Sequence, residues 1–146
     1  MIRRHRKVAF IAFMVGILLG ISVMVAFAAK ATSTWVYYGP ILGYSYQNQA
    51  TVSNDHELWF STYVRTQNSS SVPTGYMGAL TRLYKSDVLV ASEGWAYNSG
   101  PCSGYTLVGS GYGHGSGIYY SKGKTRAYNG NGYNTFDTNQ SPNINH

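Results

Sequence analysis

The chain has 146 residues, with 11 Lys/Arg against 5 Asp/Glu for a formal net charge of +6, 14 tyrosines, 17 glycines and one cysteine. The length suits a single domain, and a lone cysteine excludes an internal disulfide. The charge does not mark a nucleic-acid binder, because Arg3, Arg4, Arg6 and Lys7 stand before an apolar run and only +2 remains from Ala29 onward, seven Lys/Arg against five Asp/Glu. The one basic cluster of that part, Lys122, Lys124 and Arg126, has the alternate spacing of a solvated strand edge, so no nucleic-acid partner is expected.

Residues 1–28 read as an export signal. A basic start is followed by the uncharged apolar run Val8–Phe27 and the small-residue exit Ala26-Phe27-Ala28. As a helix that run would be ~30 Å long, enough to span a bilayer, so an uncleaved anchor is the alternative. Basic residues stay inside, so both readings put the remainder outside the cytoplasm. The protein is then secreted, or tethered to the outer face of the cytoplasmic membrane by residues 8–27. Membrane contact is expected only through this segment, unless the mature domain is itself membrane-active.

Residues 29–138 predict one β domain, with no helical periodicity and short strands separated by Gly, Asn and Ser. The expected class is all-β, an antiparallel β-sandwich or jelly-roll-like domain. Trp35 to Tyr38 is a short strand, stopped by Gly39-Pro40. From Gly43 to Val52, Tyr44, Tyr46, Asn48, Ala50 and Val52 alternate with polar residues. Glu57 to Gln67 is the next strand. Leu58, Phe60, Thr62 and Val64 form its core face, and Glu57, Trp59, Tyr63 and Arg65 point outward. Gly75 to Tyr97 predicts a hairpin around Lys85-Ser86, or a four-residue loop in the same register. That register pairs Leu83 with Val88 and Ala79 with Ser92. It sends Met77, Ala79, Thr81, Leu83, Val88, Val90 and Ala96 to the core. Tyr76, Arg82, Tyr84, Glu93, Trp95 and Tyr97 fall on the opposite face.

Tyr105 to Tyr112 is a further strand, thinned by Gly109 and Gly111, and Gly113 to Gly117 is a break. Ile118 to Tyr128 is extended, with a bulge or turn at Lys122-Gly123. Asn129-Gly130-Asn131-Gly132 is the strongest turn signal, and Tyr133 to Thr138 is the last strand. Residues 139–146 read as a flexible polar tail.

No catalytic constellation emerges, and no enzyme activity or cofactor is expected. Cys102 would need a base such as His114, and the sequence gives no sign that they meet. Asp55-His56-Glu57 sends adjacent side chains to opposite sides, which is poor geometry for joint metal ligands. The Gly111–Gly117 stretch lacks the Lys-Ser/Thr ending of a phosphate loop. The aromatic residues are the best site candidates. Trp59, Tyr63, Tyr76, Trp95 and Tyr97 all fall on faces read as outward, and rings with polar neighbours stack on sugars or enter membrane interfaces. The competing reading is packing under loops or across a second sheet.

Tyr119-Tyr120-Ser121, Arg126-Ala127-Tyr128-Asn129-Gly130, Gly132-Tyr133-Asn134-Thr135 and Ser141-Pro142 resemble the C-terminal third of small exported proteins of Gram-positive bacteria and their prophages. The layout, a signal followed by a small Gly/Tyr-rich β domain, also resembles lactococcin-972-type bacteriocins. These resemblances imply a secreted origin. The resulting expectation is a secreted or cell-envelope non-catalytic binding protein that takes cell-wall glycan on an aromatic face. The alternative is a bacteriocin-like antibacterial or membrane-active protein.

Overall fold

The computed structural model describes residues 29–146, and the expected signal or anchor over residues 1–28 lies outside them. The described chain is all-β, built as two antiparallel sheets. The first sheet contains β1 (Lys30–Thr32), β2 (Val36–Ile41), β3 (Tyr44–Ser53), β4 (Trp59–Thr66) and β7 (Gly104–Ser110). β1 and β2 share one edge of β3, β4 takes the other, and β7 lies beyond β4. The second sheet contains β5 (Met77–Lys85), β6 (Val88–Tyr97), β8 (Ile118–Ser121), β9 (Lys124–Tyr128), β10 (Tyr133–Asp137) and β11 (Ile144–Asn145). β6 runs along one edge of β5, while β8 and β9 succeed each other along the opposite edge, flanked by β11 and β10. Each sheet is therefore four strands wide.

The sheets pack through their apolar faces in two clusters. One joins Tyr46 and Val64 of the first sheet to Met77 and Ala127 of the second. The other joins Val52 and Phe60 to Leu83, Tyr119 and Ile144. Between them lies a buried polar layer of Asn48, Thr62, Thr81, Ser121 and Thr125. In it Asn48 Nδ2 and Tyr38 Oη both reach Thr125 Oγ1, at 2.7 and 2.9 Å. The alternation read over Gly43–Val52 and Glu57–Gln67 places Tyr46, Asn48, Val52, Phe60, Thr62 and Val64 inside, all fully buried.

The hairpin differs from the expected register. Ser86 and Asp87, at φ 46° and 68°, form a two-residue turn, so Lys85 faces Val88 and Tyr84 faces Leu89. Two consecutive residues at positive φ give the reversal that the right-handed twist of flanking strands favours. Val88, expected in the core, is 64% exposed. β6 then regains the inner face through two register shifts, pairing Leu83 with Ala91 and Ala79 with Ala96. Val90 and Ala91 both lie against the second cluster. β6 is an edge strand, and bulges are well tolerated there.

Residues 139–146, expected as a loose tail, fold back onto the second sheet. Ser141 exchanges hydrogen bonds with Ser121, its Oγ accepting from the Ser121 amide at 2.9 Å. Ile144 is buried, in register with Tyr119. The buried Ile144 side chain, the Ser141–Ser121 bonds and a backbone pair between Gly117 and His146 together hold this segment.

Candidate functional site

The five aromatic residues expected on outward faces occupy three places. Trp59 and Tyr63 lie on the outer face of the first sheet. Trp95 and Tyr97 lie on the outer face of the second, on the opposite side of the molecule. Tyr76 turns inward against the first cluster, edge-on to Tyr44 and tilted against Tyr128. It does not stand across from Trp95, because the register shifts set Tyr97 opposite Gly78 instead.

On the first sheet, Trp59, Ser61, Tyr63 and Arg65 alternate outward from β4, opposite Ser53, Thr51, Gln49 and Gln47 of β3. Ser61, Thr51 and Gln47 are buried even though they point outward, so larger side chains lie over them. Tyr63 leans onto β7 at Gly104, where a Cβ would stand 2.7 Å from its hydroxyl. The ring of Trp35, from the segment before β2, lies 5.9 Å from that of Tyr63. The guanidinium of Arg65 lies over Trp35 at 4.8 Å from the ring centre, a favourable cation–π distance. Turned so that its amide oxygen faces the guanidinium, Gln47 accepts from Arg65 Nε at 2.6 Å and Nη2 at 2.7 Å. Lys30 reaches over Trp59 at 5.6 Å, and Tyr37, opposite Gln47, is 63% exposed. The outcome is a shallow polar floor topped by rings and two cations. Parity placed Trp59, Tyr63 and Arg65 here. It could not reveal Trp35 or Lys30, which arrive from other parts of the chain.

On the second sheet the rings close on one another. Arg126 sits 3.9 Å from the centre of Trp95, donates from Nη1 to Tyr97 Oη at 2.7 Å, and contacts Thr135 through Nε at 3.3 Å. Tyr133 donates to the Gly75 carbonyl at 2.9 Å. Burial raises its hydroxyl pKa, with Tyr97 and Tyr128 adding to the rise and Arg126 opposing it. Tyr84 and Tyr120 stack at 4.9 Å and 7°. These groups satisfy each other and brace strand against strand.

A cleft of about 470 Å³ opens at one end of the sheets, lined by His56, Glu57, Leu58, Gly111, Tyr112, Gly113, Gly115 and His146. Among the described residues, no three His, Cys, Asp or Glu side chains gather in a metal-holding group. Cys102 bridges Val72 and packs on the first cluster, whereas His114 offers its carbonyl to Tyr119 and Lys85 near the second. The two lie beyond opposite ends of β7, about 20 Å of strand apart. Against known proteins, the chain matches no family model, no curated protein and no solved structure.

Proposed function

We propose that this chain is an exported, non-catalytic binding protein of the cell envelope or extracellular space, holding wall glycan on the outer face of its first sheet. The observation behind this reading is the set of rings from Trp35, Tyr63 and Trp59 lying among Gln47, Gln49 and Arg65 on one face. Sugars present apolar C–H faces and a rim of hydroxyls, and this face offers rings beside amide and guanidinium groups. The basic start, apolar run and small-residue exit of residues 1–28 support export. The chain passes between sheets from β4 to β5, back from β6 to β7, and over again to β8, which supports the jelly-roll-like form of the fold.

Retention on isolated bacterial cell walls tests the reading. Trp59→Ala and Tyr63→Ala should each weaken retention about 5–10-fold, the worth of one aromatic contact. Trp95→Ala should leave retention intact while lowering stability by about 2 kcal/mol, since it removes a half-buried ring and uncaps Arg126. Loss of retention with Trp95→Ala and not with Trp59→Ala would place the site elsewhere.

A membrane-active, bacteriocin-like role has one observation in its favour. Val88, Leu89 and Ile118 are exposed beside the β5–β6 turn, whose Ser86 amide bonds the Ile118 carbonyl. Dye release from anionic vesicles, abolished by Val88→Ser with Leu89→Ser, is the outcome that would favour that role over glycan binding.

A further inference from the structure

The five strands of the first sheet contain Lys30 and Arg65 and no Asp or Glu. Among the described residues the one ion pair, Lys124–Asp137, belongs to the second sheet. Neither cation of the ring-bearing face therefore has a carboxylate within salt-bridge distance, the nearest in sequence being Asp55 and Glu57 in the turn before Trp59. An isolated fixed charge of this kind favours a ligand of opposite sign.

Arg65 is prepared for such a ligand. A guanidinium offers five N–H donors in a rigid planar fork. Gln47 occupies the edge formed by Nε and Nη2, which leaves the end-on edge between Nη1 and Nη2. That edge matches the two oxygens of a carboxylate. Trp35 beneath and Gln47 beside hold the fork in place, so less rotamer freedom is lost when a ligand arrives. Lys30 over Trp59 repeats the pairing of a cation with a ring. Trp59 and Tyr63 are four residues apart on β4, which is about 13 Å along the strand. Two rings at that separation fit a polymer better than a single sugar. A second copy of the same face would bring like charges together, which disfavours self-association through it.

We propose that the first-sheet face selects an acidic glycan, with Arg65 taking a sugar carboxylate end-on while Trp35 and Tyr63 stack against neighbouring sugar rings. This rests on the glycan reading above and narrows it to carboxylate-bearing polymers.

The test is titration calorimetry of the full chain with a uronic-acid oligosaccharide, a neutral glucan oligosaccharide of equal length, poly(glycerol phosphate) and anionic vesicles. The uronate oligomer should bind about tenfold tighter than the neutral one, the worth of one charge-assisted hydrogen-bonded pair. Added salt should weaken only the acidic complex. Arg65→Gln should bring the two affinities together. Gln47→Glu should do the same with no drop in melting temperature, because it supplies Arg65 with an internal carboxylate. Equal affinity in the wild-type protein, or a preference surviving both substitutions, overturns acid selection and leaves glycan binding standing. Tighter binding of the phosphate polymer or the vesicles overturns the carboxylate assignment. Failure to bind either oligosaccharide and isolated walls overturns both this proposal and the glycan reading.

Discussion

Gly104 and Gly109 lie on the same strand, β7, and face opposite sides of the first sheet, so two Gly→Ala substitutions test one face each. Gly104 pairs with Arg65 and Gly109 with Phe60. A Cβ at Gly104 would stand 2.7 Å from the Tyr63 hydroxyl and 3.0 Å from its Cε2. Tyr63 is half-buried on the outer face, and its ring can swing aside. A Cβ at Gly109 would stand 2.7 and 2.9 Å from Cε2 and Cε1 of Phe60, with Cζ nearer still. Phe60 is fully buried between the sheets and cannot move without disturbing the second cluster. Gly→Ala also gains about 0.4–1 kcal/mol by restricting the unfolded chain. Gly104→Ala should therefore stay within about 1 kcal/mol of wild type, while Gly109→Ala should lose about 2–3 kcal/mol by overpacking. In urea melts, with a slope of roughly 1.5 kcal/mol/M, the midpoints should separate by about 1–2 M. Gly104→Ala should nonetheless weaken wall retention about fivefold, because the displaced Tyr63 ring forfeits its stacking position. Equal midpoints, or undiminished retention by Gly104→Ala, would refute this account of the outer face.

Two further outcomes follow from the turn and the core. Ser86→Asn with Asp87→Gly installs the Asn-Gly pair favoured at two successive positive φ values and should raise stability by about 1 kcal/mol; an unchanged melting midpoint would count against the turn geometry. Burial pushes the Tyr46 hydroxyl from 10.0 up to about 12 and the Tyr38 hydroxyl well above its ordinary value. The native state then keeps protons that the unfolded chain releases, so stability should hold below pH 10 and fall between pH 10 and about 12, at a slope on the order of 1 kcal/mol per pH unit from Tyr46. Tyr46→Phe should flatten part of that fall. It should cost little at neutral pH, because the buried hydroxyl has no hydrogen-bond partner among the described residues. An alkaline fall of equal steepness in the variant would show that another group controls it.

The inner faces of β3 and β4 were legible because the alternation there is strict and unbroken, and the two strands pair with each other without a slip from end to end. The hairpin was legible as a hairpin but not in register. Its turn chemistry, Lys-Ser-Asp, names no single pair, and the two extra residues in β6 change parity twice. Parity also says whether a side chain points in or out, and not which sheet it points out from. For that reason Trp59 and Trp95, both read as outward, stand on opposite sides of the molecule. Trp35 was missed because its role depends on Arg65 and Tyr63, some thirty residues away, and no local pattern encodes that meeting. Ile144 was missed because one apolar residue in a polar run has no period to detect.

Both outer faces bear rings, and Arg126 and Arg65 are held differently on them. On the second sheet Arg126 donates to Tyr97 and Thr135 beneath the Trp95 ring, and Lys124 is paired with Asp137. A ligand there would have to displace partners already in place, and an exposed pair such as Lys124–Asp137 contributes little by itself. On the first sheet Arg65 has an amide on one edge, a ring on one face and no carboxylate. A cation held by a ring and an amide alone gains less from its charge inside the protein than one paired with a carboxylate. It contributes most when an anion is brought to it and water is excluded from the contact. Arg126 is thus tied into its own sheet by two hydrogen bonds and a ring, whereas the end-on edge of the Arg65 guanidinium has no partner among the described residues.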